Sequence, residues 1–123
     1  KREAMRAFAP RGVVLSGGPA SVLAEGSPRV DRTVFELGVP VLGICYGMQL
    51  ACESLGGQVA RATAREYGRA ACEVLDHDLL LTGVPGHTEV WMSHGDQVAE
   101  VSADFLPLAR TATCPLAAVR HRA

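Results

Sequence analysis

Aromatic residues make up only 5% of the 123 residues, and neither sign of charge is in excess: 12 Lys and Arg stand against 13 Asp and Glu. Without a basic surplus to neutralise phosphates, this is not the sequence of a general nucleic-acid binder. No apolar run approaches the ~20 residues of a membrane-spanning helix. Residues 1–6 contain charges but have no apolar stretch behind them, which is not the pattern of a signal peptide. The 4 cysteines, at positions 45, 52, 72 and 114, form no Cys-x-x-Cys pair and have no histidine at metal-ligand spacing. They are too sparse for a disulfide scaffold, so the expectation is a reducing, cytoplasmic compartment and no metal site. Internal repeats and low-complexity tracts are missing, and so is an initiator methionine. The chain opens in a stretch, Met5 to Phe8, that reads as the tail of a helix, and it closes straight after an apparent strand. These features suggest a domain truncated at both ends, since a lone first strand leaves a sheet edge to cover.

What the sequence does have is apolar residues, 48% of the chain against 20% charged. A chain of this size can bury roughly two thirds of its unfolded surface, enough for one globular core. The run Arg11-Gly12-Val13-Val14-Leu15-Ser16 closes on Gly17-Gly18-Pro19 and predicts a buried strand followed by a tight loop. Ser27 predicts a helix N-cap, with Pro28 at the first helical position, Val30, Val34 and Leu37 on one apolar face, and Gly38 at the end. Val39-Pro40-Val41-Leu42-Gly43-Ile44 is unbroken rather than alternating, which suits a central strand covered on both faces. A second helix follows from Gly47 to Leu55 and stops at Gly56-Gly57. Strand, helix, strand, helix is the order of a parallel sheet flanked by helices.

The second half reads as short strands, at 69–75, 89–93, 108–113 and 116–121. Turn signals separate them: Asp76-His77-Asp78, Gly83-Val84-Pro85-Gly86, Gly95-Asp96 and Cys114-Pro115. The predicted fold is therefore α/β, an open and mostly parallel sheet with flanking helices and appended antiparallel strands.

Chemistry concentrates at Gly43-Ile44-Cys45-Tyr46-Gly47-Met48-Gln49, where a strand ends, one residue turns and a helix begins. This is the pattern of a nucleophile elbow, with glycine two positions to either side of the reactive residue. The free N–H groups and positive dipole end of the new helix favour a thiolate at Cys45, as a nucleophile needs. From these residues alone, Cys45 is either a nucleophile or a buried structural cysteine, whereas Cys52, Cys72 and Cys114 read as small buried apolar residues. Ser16-Gly17-Gly18-Pro19 is a plain turn, a phosphate loop or an oxyanion loop; Ala20 stands where one type of phosphate loop requires Asp. In Val90-Trp91-Met92-Ser93-His94-Gly95-Asp96 a strand ends in a polar turn. His94 there is a base, an orienting group or a surface residue, and Trp91 is expected to pack.

Taken together these stretches resemble the class I (triad) glutamine amidotransferases. With Arg65-Glu66-Tyr67-Gly68 between them, they resemble the amidotransferase domains of the GMP synthase family in particular. The resemblance covers nearly the whole chain, in order, and implies a flavodoxin-like sheet. It implies that Cys45 attacks the glutamine side-chain amide to form a γ-glutamyl thioester. It implies backbone oxyanion donors at Gly18 and Tyr46 and a glutamine-pocket residue at Gln49. Ser93, His94, Gly95 and Asp96 would form the loop that holds the amino-acid moiety of glutamine near the partner domain. The implied partner is a synthetase of the ATP pyrophosphatase type, on the same chain or a separate one, which uses ATP and Mg to aminate xanthosine monophosphate. No cofactor is expected in these residues themselves, and neither nucleic acid nor membrane is an implied partner.

One departure matters. The family's triad is completed by a His-Pro-Glu motif, and no His-Pro-Glu occurs here. Residues 1–123 are accordingly expected to be part of a glutaminase domain, without the synthetase, and to lack turnover alone, since thiolate and oxyanion site have no proton shuttle. The alternatives are an amidotransferase serving anthranilate, carbamoyl phosphate or CTP synthesis, or a non-catalytic amidotransferase-like binding module. The intact Gly43, Cys45 and Gly47 speak against the last.

Overall fold

A computed structural model describes residues 2–123, the side chains of residues 64–66 excepted. The chain divides into two compact units, Lys1–Ser54 and Leu55–Ala123. In the first, helix α1 (Arg2–Phe8) leads to strand β1 (Val13–Leu15), a short 3-10 helix (Arg32–Glu36), strand β2 (Val41–Gly43) and helix α2 (Tyr46–Ser54). β1 and β2 are parallel, with Val13 opposite Val41 and Leu15 opposite Gly43. Parallel pairing needs a crossover between the strands, and residues 16–40 provide it. The core of this unit is Val22, Tyr46 and Leu50, with Val30 packed against them. Burying each aliphatic side chain here contributes about 1.5–3 kcal/mol.

Two expectations are corrected. The helix capped at Ser27 does not form; a shorter 3-10 helix starts after Asp31, whose carboxylate accepts the Thr33 N–H at 2.9 Å. Residues 22–30 are held instead by one bond within the segment, Arg29 to the Val22 carbonyl at 2.6 Å, and one from a distant residue, the Tyr46 hydroxyl to the Pro28 carbonyl. Gly38 does end the element, at φ +75. Nor are the strands covered on both faces. α2 packs over the face carrying Leu15 and Gly43, while Val14, on the opposite face, is 62% exposed and Leu42 beside it is exposed too. Alternation along a strand sends neighbours to opposite faces, so one helix covers only every second residue.

The second unit is an antiparallel sheet in the order β4-β3-β5-β6. Its strands are β3 (Gln58–Val74), β4 (His87–Glu100), β5 (Phe105–Thr111) and β6 (Ala118–His121). The appended antiparallel strands are thus present, with β3 and β4 longer than expected. Only the end of β3 is paired on both sides: Cys72 lies opposite Thr88 on β4 and Thr111 on β5. Val98, Phe105, Leu108, Ala109 and Cys114 are buried in this unit. Glu73 and Arg110, directly opposite each other, form an ion pair at 2.8 Å. The turn at Cys114 closes by reciprocal bonds, Thr111 N–H to the Cys114 carbonyl at 3.0 Å and Cys114 N–H to Thr111 Oγ1 at 3.1 Å. The expected turn at Gly95-Asp96 is absent, because β4 runs through both residues. Among the described residues no helix is long and apolar enough to cross a membrane.

Candidate active site

The first unit places a cysteine where backbone geometry is strained. The Ile44 N–H donates to the Leu15 carbonyl at 2.9 Å, carrying the β1–β2 ladder one residue past Gly43. Cys45 then turns at φ +51, in the left-handed region that costs a non-glycine residue about 1–2 kcal/mol. Its carbonyl accepts the Gln49 N–H at 3.0 Å, the first bond of α2. Strain of this kind persists only where the surroundings over-determine it.

The surroundings are glycines. A Cβ on Gly47 would lie 1.9 Å from the Leu15 carbonyl oxygen. A Cβ on Gly43 would lie 2.8 Å from the Gly47 oxygen and from Met48 Cα. The first turn of α2 therefore rests directly on the ends of β1 and β2, and the Gly-x-Cys-x-Gly spacing records that approach. Gly17 completes the fit: a Cβ there would be 3.2 Å from Cys45 Cβ and 3.7 Å from its Sγ. A Cβ on Gly18 would meet nothing within 4 Å, so that face of the loop is open.

Cys45 is exposed, and the other three cysteines are buried, as expected. Burial pushes the Cys52 thiol up to about 11 and raises that of Cys72 by the same cause. Tyr46, at the first helical position, is only 8% exposed and packs on Val22 and Leu50. Gly18 and Tyr46 line one cleft of about 270 Å³, together with Ser16, Pro19, Arg29 and Leu50. Gln49 is buried in α2, at 9% exposure, and is not among the residues that line this cleft. A larger apolar hollow of about 410 Å³, lined by α1 and β1, does not include Cys45.

Gly18, Cys45, Tyr46 and Gln49 all belong to the first unit, but the cleft that Gly18 and Tyr46 line includes neither Cys45 nor Gln49. Ser93, His94, Gly95 and Asp96 belong to the second unit, in β4 rather than in a terminal turn. The pairing of β3 with β4 is irregular here: Asp96 opposes Arg61 and Ser93 opposes Tyr67, with a register shift between them. The half-buried His94 donates from Nδ1 to the Asp96 carbonyl at 2.9 Å. Trp91 is not packed. It is 74% exposed, because strand alternation turns Val90 and Met92 inward and Trp91 out. Of the Arg65-Glu66-Tyr67-Gly68 stretch, the side chains of Arg65 and Glu66 lie outside the described residues. Among the described residues no group of three or more His, Cys, Asp or Glu could hold a metal ion.

Sequence reasoning missed the ties around Tyr46. Its hydroxyl donates to the Pro28 carbonyl, and the neighbouring Arg29 also donates to Glu53 at 2.7 Å. A buried tyrosine needs a partner for its O–H, which is the one signal that pointed there.

Comparison with known proteins agrees with this geometry. Residues 1–123 match the profile of the glutamine amidotransferase class-I family. A glutamine-hydrolysing GMP synthase of Vibrio atlanticus is 53% identical over 117 residues, 95% of this chain and 23% of that protein. The chain spans less than a quarter of the length of the curated relatives it matches. Among solved structures, a Thermoplasma acidophilum protein provisionally identified as one chain of a GMP synthase superposes with a TM-score of 0.76 at 28% identity, over 97% of this chain and 61% of that one. A glutamine amidotransferase of Thermotoga maritima gives 0.79 at 20% identity, over 90% of this chain and 51% of that one, and shares the fold.

Proposed function

This chain belongs to the class-I glutamine amidotransferase family, and from that we propose that it is the glutaminase part of a GMP synthase. Cys45 Sγ attacks the side-chain carbonyl carbon of glutamine, the C–N bond breaks and ammonia leaves with a proton, giving a γ-glutamyl thioester. Water then releases glutamate and regenerates the thiol. The backbone N–H groups of Gly18 and Tyr46 bind the oxyanion that forms in both steps. Gln49 shapes the glutamine pocket, and Ser93, His94, Gly95 and Asp96 hold the amino-acid end. The ammonia passes to a synthetase of the ATP pyrophosphatase type, fused or separate, which aminates xanthosine monophosphate with ATP and Mg in the cytoplasm. A protected transfer matters because free ammonia near pH 7 becomes ammonium, which is not nucleophilic.

The observation that supports this most is the exposed Cys45 held at φ +51 between a strand and a helix, with Gly17 against its sulfur. The names of the 53%-identical relative and of the Thermoplasma acidophilum neighbour support GMP synthesis over other amidotransferase products. The test is Cys45→Ala in the intact protein. Glutamine-dependent GMP formation is expected to vanish while ammonia-dependent formation continues. Loss of both, or of neither, overturns the reading.

A further inference from the structure

We infer that the Tyr46 hydroxyl and Arg29 are positioning residues, which brace the Gly17-Gly18 loop against the nucleophile and set the gap between the two oxyanion donors. The inference rests on the proposed glutaminase chemistry.

Residues 22–30 carry no helix or strand, and only Ala20 and Ser21 separate them from the Gly17-Gly18-Pro19 loop. An irregular segment of this kind is ordinarily the least stable part of a unit. Here it is tied to α2 at both ends of the helix. At the start, the Tyr46 ring is buried against Val22 and Leu50, and its O–H donates to the Pro28 carbonyl across 18 positions of sequence. Toward the end, Arg29 donates to Glu53 Oε2 at 2.7 Å across 24 positions, and its second nitrogen donates to the Val22 carbonyl at 2.6 Å. The guanidinium thus spans helix and segment at once, with two nitrogens of its planar fork on separate acceptors.

The consequence falls on the oxyanion site because Tyr46 serves it twice. Its backbone N–H is one proposed donor, while its side chain grips the segment that carries the loop holding the other, Gly18. Both donors also line the same cleft as Arg29. Loosening the grip leaves Cys45, fixed by Gly43 and Gly47, where it is. It lets Gly18 drift relative to Tyr46, and misplacement of about 1 Å costs up to roughly 100-fold in rate.

The experiment compares two electrophiles on Cys45 in the intact protein. Iodoacetamide reports access to the sulfur. A chloroketone analogue of glutamine forms the same kind of C–S bond with loss of chloride, but its ketone oxygen must occupy the oxyanion site. In Tyr46→Phe, which keeps the ring and the backbone N–H, chloroketone labelling is expected to slow about tenfold while iodoacetamide labelling changes less than about twofold. Arg29→Gln, cutting the brace at its other end, is expected to shift the ratio in the same direction, and decides the matter if Tyr46→Phe does not fold. Unchanged rates with both reagents, or equal slowing of both, overturn the inference. If unaltered protein shows no preference of the chloroketone for Cys45 over the other cysteines, the glutaminase reading itself fails, and the inference with it.

Discussion

Cys45 and Cys52 stand seven positions apart, one just before α2 and the other within it, and the fold treats them oppositely. Cys45 precedes the first turn, exposed, on a strained φ of +51. Cys52 faces inward at 1% exposure, and burial pushes its thiol up to about 11. At pH 8 a thiol of that kind is ionised to about one part in a thousand. Cys45 stands beside the free N–H groups of the first turn of α2, and Cys52 lies in its last turn. Where a cysteine sits on an element decides its chemistry, and glycines decide where Cys45 sits.

Gly47→Ala should therefore erase the contrast. Its Cβ would overlap the Leu15 carbonyl at 1.9 Å, and backbone cannot swing aside as a side chain does. α2 must lift from the sheet, which removes both the elbow and the burial of Cys52. Overpacking ordinarily costs about 1–3 kcal/mol, and a clash of this depth should exceed that range. Denaturant unfolding measures it; a loss below about 1 kcal/mol would mean the helix rests elsewhere. With the elbow intact, the two thiols should differ by about a hundredfold or more in alkylation rate at pH 8, read by mass spectrometry of labelled peptides. Comparable rates would place Cys52 in solvent.

The elbow was legible because its signals are local: an apolar run, then glycines at fixed spacing around one cysteine. β1, β2 and α2 fell within a few residues of expectation for that reason. Long-range ties left no local trace. Nothing near Arg29 announces Glu53, 24 positions away. Gly95-Asp96 carries turn-forming residues, yet pairing with β3 draws both into a strand, and the irregularity opposite them absorbs the mismatch. The first half of β3 alternates, but only with alanines, at 60, 62 and 64, a residue type of low strand preference, so pairing with β4 rather than its own residues makes it a strand. Trp91 looked like core material by type, but strand period overrules residue type.

The alkaline limb sharpens the same comparison. The raised Cys52 thiol means that the folded chain keeps a proton which the unfolded chain releases from 9.0 upward. Its contribution is full below that value and is lost as pH climbs toward about 11. The loss should be about 1–2 kcal/mol, followed as the shift of the denaturant midpoint between the two values. Cys52→Ala should flatten part of the slope and leave a remainder from Cys72, which burial raises as well. A slope untouched by Cys52→Ala would locate the titration elsewhere.

The smallest effect separates two serviceable caps on one segment. Ser27 has the right residue type and a proline behind it, but its buried Oγ has no hydrogen-bond partner. Asp31 accepts from the Thr33 N–H and, at 2.8 Å, from the Thr33 hydroxyl, and these bonds hold its carboxyl below the usual value. Ser27→Ala should leave the unfolding midpoint unchanged or raise it, because removing an unpartnered buried hydroxyl removes a desolvation cost. Asp31→Ala should lower it. The Asp31 contribution should also fade as pH falls through its depressed titration, the sign expected when the folded state favours the ionised form. The opposite ranking at neutral pH would put the helix start back at Ser27 and detach residues 28–30 from the brace beneath Tyr46.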